Sequence, residues 1–124
     1  MAVYCWRRMG LLDYRQQHPA SMSGGQKQRL CIAVACMKDT DVICFDEPTS
    51  GLDYSSMVNV SSLLHELAEQ GKTLLVTTHD YEFLMHTCTH ICYLLNGRVE
   101  SFFPVEPRYT PQIYSILFQK EVVL

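Results

Sequence analysis

The sequence lacks a hydrophobic run long enough to cross a membrane. Its longest apolar stretch, residues 30–37, is eight residues long and has a basic residue on either side, whereas a membrane-spanning helix needs about 18 apolar residues or more. The first ten residues include Trp6, Arg7 and Arg8, so they contain neither the apolar core nor the cleavage site of a secretory signal. From these absences we expect a soluble protein that stays inside the cell.

An excess of basic charge is also missing. Ten Lys and Arg residues face thirteen Asp and Glu residues, which gives a formal net charge of −3 in 124 residues. Nucleic-acid binding that depends on bulk charge needs the opposite sign, so we expect no nucleic-acid partner. The six cysteines do not indicate a disulfide framework. Four of them lie within apolar runs, where we expect buried, reduced thiols.

What the sequence does contain is the alternation of an α/β protein. Residues 42–45 form an uninterrupted β-prone run typical of a strand covered on both faces, and residues 73–78 form a second such run. Because Gly71 stands where a helix cap belongs, the segment between the runs predicts a helix that joins two parallel strands. Its apolar residues recur at helical spacing at Met57, Val60, Leu63, Leu64 and Leu67.

Weaker patterns predict the remaining elements. Asn96-Gly97 between two β-prone runs predicts a hairpin of residues 90–95 and 98–102 with a type I′ turn. Short helices are predicted over residues 2–10, 80–87 and 113–118.

Two carboxylates, Asp46 and Glu47, follow directly on the first predicted strand. Ligands of open α/β sheets bind at the carboxyl ends of the strands. An Asp there can orient a hydrated Mg²⁺ ion, and an adjacent Glu can accept a proton from an attacking water. The next strand ends at His79, so the acids and the histidine are predicted to converge on one edge of the sheet. The alternative is that the acids only end a strand and cap the next helix.

Ser23, Gly24, Gly25 and Gln26 are candidates for an anion site. Ser23 and Gln26 have the spacing of a capping box, which predicts a helix that starts here and is largely buried from Leu30 onward. The free N–H groups and the dipole at a helix start favour negative charge, and two glycines let a phosphate approach the backbone closely. An ordinary N-cap with a glycine-rich entry is the alternative.

Four segments resemble the motifs of ATP-binding cassette (ABC) ATPases, in the order that the family has them. Residues 22–30, MSGGQKQRL, are similar to the signature motif, with Met in place of the usual leading Leu. Residues 42–47 resemble the Walker B strand with its catalytic glutamate, residues 50–53 resemble the D-loop, and His79 resembles the switch histidine. The chain is most similar to importer cassettes, and residues 78–83 favour the energy-coupling-factor or cobalt type.

The resemblance implies a fold, a domain organisation and a function. The fold would be a three-layer α/β P-loop NTPase fold with a parallel sheet. Residues 1–102 would be the C-terminal portion of the nucleotide-binding domain, with 1–22 from its helical subdomain and 23–102 from signature to hairpin, before a tail at 103–124 with a short helix. The implied function is ATP hydrolysis coupled to import of a small solute or ion, at the cytoplasmic face of the membrane, with ATP and Mg²⁺ as cofactors.

The same resemblance assigns catalytic roles and partners. Asp46 would hold the magnesium shell, Glu47 would polarise the attacking water, and His79 would contact the γ-phosphate. The implied partners are a second ABC ATPase subunit, identical or different, and a transmembrane transporter subunit. The nucleotide held by that second subunit would be bound by Ser23, Gly24, Gly25 and Gln26, and Asp53 would communicate across the dimer.

One motif of the family, the Walker A loop G-x-x-x-x-G-K-S/T, is absent from these residues. The nearest match, Gly71-Lys72-Thr73, has Glu66 where the first glycine is needed and follows a helix instead of a strand. The sequence therefore resembles the C-terminal half of a cassette. We expect the chain alone to be inactive as an ATPase and, with its strands left uncovered, prone to aggregate or assemble. A separate N-terminal half-cassette is a further candidate partner.

Two other functions stay open at this point. A non-catalytic remnant or interaction module would dock on a complete cassette or on a transporter subunit. A small zinc-binding domain would use His86, Cys88, His90 and Cys92, which would face the same side if they lay in one strand.

Overall fold

The computed structural model of the chain describes residues 2–118, which divide into two compact units between Thr78 and His79. The end of the predicted tail, residues 119–124, lies outside the described residues. Within the described part, no helix is both long and apolar enough to cross a membrane.

A parallel β-α-β motif forms the centre of the first unit. Strand β1 (Val42–Asp46) pairs in parallel with strand β2 (Thr73–Thr77), and helix α3 (Tyr54–Glu69) connects them. Val42 is the partner of Thr73 and Asp46 is the partner of Thr77. The predicted parallel pair with a helical crossover is confirmed.

Both ends of α3 are capped as the sequence predicts. Asp53 is the N-cap residue, and its Oδ1 accepts a hydrogen bond of 2.7 Å from the Ser56 backbone N–H. At the other end Gly71 has φ +86°. The N–H groups of Gly71 and Lys72 donate to carbonyls of the last turn at 2.9 and 3.1 Å, the pattern of a Schellman motif. The predicted apolar stripe is buried, which holds α3 against the rest of its unit: Met57, Val60, Leu63, Leu64 and Leu67.

The two strands are covered on one face only. Ile43 and Phe45 are each 6% exposed, whereas Val42 is 53% and Leu75 57% exposed on the opposite face. The prediction of a strand covered on both faces is therefore wrong for the described residues. The expectation that the runs are less covered than their apolarity demands is confirmed. We call the residues on this open side, Val42, Cys44, Thr73 and Leu75, the exposed sheet face.

Two further helices complete the first unit. Helix α1 (Ala2–Arg8) packs against helix α2 (Gly24–Met37), and short 3-10 turns fill the connection between them. Arg8 Nη2 lies 2.7 Å from Glu66 Oε1 and donates 2.8 Å to Ser62 Oγ, so α1 is also tied to α3.

Helix α2 is less buried than its apolar sequence predicts. Ile32, Ala33 and Cys36 are buried, but Cys31 is exposed and Val34 is 42% exposed. The prediction that α2 is largely buried from Leu30 onward is correct for one face only. One stripe of α2 packs on the unit, and the described residues leave the other stripe open.

The second unit combines a short helix, a hairpin and a final helix. Helix α4 (Tyr81–Thr87) precedes strands β3 (His90–Leu95) and β4 (Arg98–Pro104), which pair antiparallel, and helix α5 (Thr110–Phe118) follows. The turn has positive φ at both central residues, +51° and +75°, as a type I′ turn requires. The predicted hairpin and its turn residues are confirmed, and β4 extends two residues further than predicted.

The core of the second unit crosses the boundary that the sequence predicts after residue 102. Phe103 is 6% exposed and clusters with Leu84 of α4 and Ile113 of α5. Residues 103–118 therefore belong to the second unit and do not form a separate tail. The boundary between the units lies instead before His79.

Candidate functional site

The N-terminus of α2 has the predicted capping box. Ser23 Oγ accepts from the Gln26 backbone N–H at 3.2 Å, and Gln26 Oε1 accepts from the Ser23 backbone N–H at 2.9 Å. These reciprocal bonds fix the backbone of the predicted signature motif. The prediction of an N-cap at Ser23 is confirmed, whereas its role in binding an anion stays a prediction.

The two glycines of the motif have different surroundings. A Cβ on Gly24 would meet nothing within 4 Å, so its backbone is open to an approaching group. A Cβ on Gly25 would lie 3.6 Å from Leu52 Cδ2 and 3.8 Å from the carbonyl oxygen of Gly51. The predicted signature motif and the predicted D-loop are therefore neighbours within the first unit.

The predicted acidic pair stands at the carboxyl end of β1. Thr77 Oγ1 donates a hydrogen bond to Asp46 Oδ1. The Glu47 backbone N–H donates to the carbonyl oxygen and to Oγ1 of Thr77, each at 3.0 Å. The position of both acids is thus set by the last residue of β2.

Glu47 has an unusual backbone conformation. Its φ is +46°, in the left-handed region, which costs a residue with a side chain about 1–2 kcal/mol. The Glu47 carbonyl accepts two hydrogen bonds of 3.1 Å, one from the Ser50 backbone N–H and one from Gln28 Nε2. These contacts hold the turn that carries the acid, and they join it to α2.

Asp53, the predicted D-loop residue, is exposed and caps α3. Hydrogen bonds from Ser56 hold the pKa of the Asp53 carboxyl below its ordinary value of 3.8, and the charge of Arg29 lowers it further. Arg29 also donates to the Met9 carbonyl at 3.1 Å and to the Gly25 carbonyl at 3.4 Å. Asp53 therefore carries a stable negative charge beside the signature segment.

His79 opens the second unit. Its side chain is exposed, and it precedes Asp80, whose Oδ1 caps α4 by accepting from the Phe83 backbone N–H at 3.0 Å. The first unit holds the other predicted site residues: Ser23, Gly24, Gly25, Gln26, Asp46, Glu47 and Asp53. The convergence of His79 with the acids stays a prediction.

The donor set fits a magnesium ion that is shared with phosphates. Mg²⁺ in such sites is bound by one or two carboxylates, by waters and by substrate phosphates. Asp46 is an exposed carboxylate at a strand end and fits the first of these. Across residues 2–118, no group of three His, Cys, Asp or Glu side chains is placed to hold a metal by itself. Asp46 therefore needs a phosphate ligand to complete such a site.

The zinc interpretation of the His and Cys alternation depends on a geometry that the structure contradicts. His86 lies in α4, Cys88 follows the helix end, and only His90 and Cys92 lie in β3. The chain passes from a helix to a strand between His86 and His90, so the four side chains do not lie on one face of a strand.

The six cysteines are free thiols, and their burial differs from the prediction. Cys31, Cys44 and Cys92 are exposed, because the open sides of α2, β1 and β3 carry them. Burial raises the pKa of the Cys36 thiol to about 12, and the nearby Cys5 adds to this shift. Cys36 is therefore protonated and a poor nucleophile near neutral pH.

Two residues of the site, Thr77 and Gln28, were not identified from the sequence. Thr77 is recognisable once β1 and β2 are placed in parallel register, because it then faces Asp46. The sequence gives only a weak indication of the role of Gln28. Gln28 lies two residues after the capping glutamine, but its partner Glu47 is 19 residues further along the chain.

Comparisons with known proteins agree with the motifs. A family model described as ABC transporter matches residues 5–50. The histidine/lysine/arginine/ornithine transport ATP-binding protein HisP of Escherichia coli is 43% identical over 91 residues, which cover 72% of this chain and 35% of HisP. The arginine transport ATP-binding protein ArtP of E. coli is 38% identical over 92 residues, or 74% of this chain and 38% of ArtP. The chain thus spans little more than a third of either relative.

Solved structures show the same fold. The dimeric structure of MJ0796, a bacterial ABC transporter cassette, matches with a TM-score of 0.74 at 33% identity, over 85% of this chain and 46% of that one. The ATP-binding subunit of an ABC transporter matches with a TM-score of 0.80 over 94% of this chain and 52% of that one, at 23% identity, which shows the fold alone. The predicted α/β P-loop NTPase fold with a parallel sheet is confirmed.

Proposed function

Because the chain corresponds to part of an ABC transporter ATPase domain, we propose that it supplies the Walker B acids of one ATP site and the signature motif of the opposing site in such a transporter. The proposed process is ATP hydrolysis coupled to the import of a small solute. The observation that carries the proposal is the first unit itself. In this unit the capped signature segment lies beside the D-loop, where Gly25 is close to Leu52. The same helix is joined to the acidic pair by the hydrogen bond from Gln28 to the Glu47 carbonyl.

The proposed roles follow from the chemistry at each position. ATP bound with Mg²⁺ supplies the phosphoryl group and the charge that the site must stabilise. Asp46 holds the magnesium shell with its carboxylate, and Glu47 accepts a proton from the attacking water. His79 donates to the γ-phosphate. The N–H groups at the start of α2, with the Ser23 hydroxyl, bind the phosphates of a nucleotide held by an opposing subunit.

The proposed partners are proteins that supply what these residues lack. A phosphate-binding loop is absent from the 124 residues, so a second ABC ATPase subunit or a separate N-terminal half-cassette supplies it. The exposed sheet face, with Val42 at 53% and Leu75 at 57% exposure, is the side of the parallel pair that such a half covers. A transmembrane subunit then places the assembly at the cytoplasmic face of the membrane.

The relatives favour one substrate class over another. HisP and ArtP are named as transport ATP-binding proteins for basic amino acids, and this supports import of a small polar solute of that kind. The energy-coupling-factor or cobalt type, which residues 78–83 favour, is not specifically represented by these relatives.

A second candidate function is an interaction module without catalysis. The exposed sheet face and the missing phosphate loop favour it, because docking needs neither ATP nor Glu47. Such a module would associate with a complete cassette through Val42 and Leu75 and leave its hydrolysis independent of this chain's acids.

The test measures binding of Mg-ATP and release of phosphate by the chain alone and after mixing with an N-terminal half-cassette. We expect neither activity from the chain alone and both from the mixture. Hydrolysis should be lost with Glu47→Gln and kept with Glu69→Gln, an exposed acid at the end of α3. A mixture that binds ATP but hydrolyses it equally with Glu47→Gln would support the interaction module. A mixture that neither binds nor hydrolyses ATP would overturn the proposed function.

A further inference from the structure

A side-chain hydrogen bond joins the signature helix to the backbone of the acidic residue at the end of β1. Gln28 Nε2 donates 3.1 Å to the carbonyl oxygen of Glu47. We propose that Gln28 is a positioning residue which couples the start of α2 to the orientation of the Glu47 carboxylate. This inference rests on the proposed function, since it takes Glu47 as the acid that polarises water.

The bond is specific to the amide group of Gln28. A backbone carbonyl only accepts hydrogen bonds, so the amide nitrogen must face Glu47 and the assignment of the two amide atoms is fixed. Gln28 is half-buried, which limits the competition from water. A side chain of equal length without a donor would leave the carbonyl with one partner fewer.

The conformation of Glu47 makes that partner important. A left-handed residue persists when its surroundings hold it in place, and Glu47 with φ +46° is held by Thr77, Ser50 and Gln28. Thr77 belongs to the sheet and Ser50 to the turn itself. Gln28 is a contact that comes from α2, so it transmits displacements of that helix to Glu47.

The other end of this connection is the capped start of α2. Gln28 lies two residues after Gln26, whose backbone and side chain both bond to Ser23. Residues this close on one helix move together, so a group bound at Ser23 and Gly24 changes the force on Glu47 through Gln28. By linkage, the conformation of Glu47 changes the affinity at Ser23 to the same extent.

The test follows amide hydrogen exchange by NMR in the full chain without nucleotide. Gln28→Ala should speed exchange at the Glu47 and Ser50 amides roughly five- to tenfold, the effect of losing one hydrogen bond. The Gln26 amide should keep its rate, because the capping box is untouched. Gln28→Lys keeps a donor and should restore slow exchange, and Lys27→Ala, at an exposed neighbouring position of α2, should change neither rate.

A double-mutant cycle then tests the coupling itself. Ser23→Ala loosens the start of α2, and we expect it to speed Ser50 exchange when Gln28 is present but not in the Gln28→Ala background. Equal effects of Ser23→Ala in both backgrounds, or unchanged Glu47 and Ser50 exchange in Gln28→Ala, would overturn the proposal. If Gln28→Ala fails to fold, Gln28→Glu, which has the same length and no donor when ionised, takes its place. Since no ATP is added, failure here is distinct from failure of the proposed function.

Discussion

Thr77 Oγ1 donates a hydrogen bond to Asp46 Oδ1, and these two residues are direct partners in the parallel register of β1 and β2. Thr77 Oγ1 also accepts a hydrogen bond of 3.0 Å from the Glu47 backbone N–H. One hydroxyl at the end of β2 therefore contacts both acidic residues at the end of β1.

Thr77→Val should destabilise the first unit and loosen the acidic pair. Valine keeps the β-branched shape but loses the hydroxyl. The free energy of unfolding should fall by about 1 kcal/mol, which is less than for a buried hydrogen bond to a charged group because this site is exposed. Urea unfolding measures this change. Thr73→Val, on the same face at the start of β2, is the matched control and should change stability by less. Equal effects of the two substitutions would show that the Thr77 hydroxyl has no special role.

Asp53→Asn should remove a pH-dependent part of the stability. The pKa of Asp53 is lowered below 3.8 by its hydrogen bonds from Ser56. Its stabilising effect is therefore fully present above pH 3.8 and is lost as the pH falls through the folded-state pKa. Asparagine still accepts the capping bond but carries no charge.

The measurement is the free energy of unfolding of both proteins at a series of pH values on either side of 3.8. The advantage of the wild type over Asp53→Asn should shrink as the pH decreases through this range. Glu69→Gln, at an exposed position near the other end of α3, serves as the control. An advantage that is constant with pH would contradict the capping role of the Asp53 charge.

Two glycines should respond to alanine in opposite ways. Gly71→Ala places a Cβ at φ +86° and should cost about 1–2 kcal/mol of unfolding free energy. Gly24→Ala adds a Cβ with nothing within 4 Å at the first residue of α2, so it should leave stability unchanged or raise it by less than the interior value of about 1 kcal/mol.

The two variants also separate stability from binding. In the ATP-binding mixture described above, Gly24→Ala should weaken nucleotide binding, because its methyl group stands between the backbone N–H groups and a phosphate. Binding that survives Gly24→Ala would argue against an anion site at the start of α2.

Leu75→Thr should reduce self-association of the chain. Leu75 is 57% exposed on the exposed sheet face, beside Cys44 in the strand register, and apolar strands left open favour assembly. Sedimentation velocity at increasing protein concentration measures the effect. Val58→Thr, at a 44% exposed position on α3, should leave the association unchanged. If both variants associate as the wild type does, the exposed sheet face is not the contact.

Elements whose geometry is fixed by neighbouring residues could be predicted from the sequence. The capping box of Ser23 and Gln26, the cap at Gly71 and the turn at Asn96-Gly97 each depend on a few consecutive residues. The helical stripe of α3 is similarly local, because every seventh residue returns to the same face.

Burial and side-chain contacts between distant segments could not be predicted in the same way. Val42 and Val34 are apolar, but whether they are covered depends on which segments pack above them, and their side chains are 53% and 42% exposed. The contact between Gln28 and Glu47 spans 19 residues and depends on how α2 lies over the end of β1. Phe103 likewise can be assigned to the core of the second unit only when the positions of α4 and α5 are known.

The exposed sheet face also bears on how long the chain survives in a cell. A partner that binds only the folded state of a protein stabilises that state by mass action. Without the partner the chain is unfolded for a larger fraction of the time, and chaperones and proteases act on the unfolded form. Under the proposed function, a partner that covers Val42 and Leu75 would therefore protect the folded chain from degradation. The amount of this chain in a cell would then depend on the supply of the proposed partner.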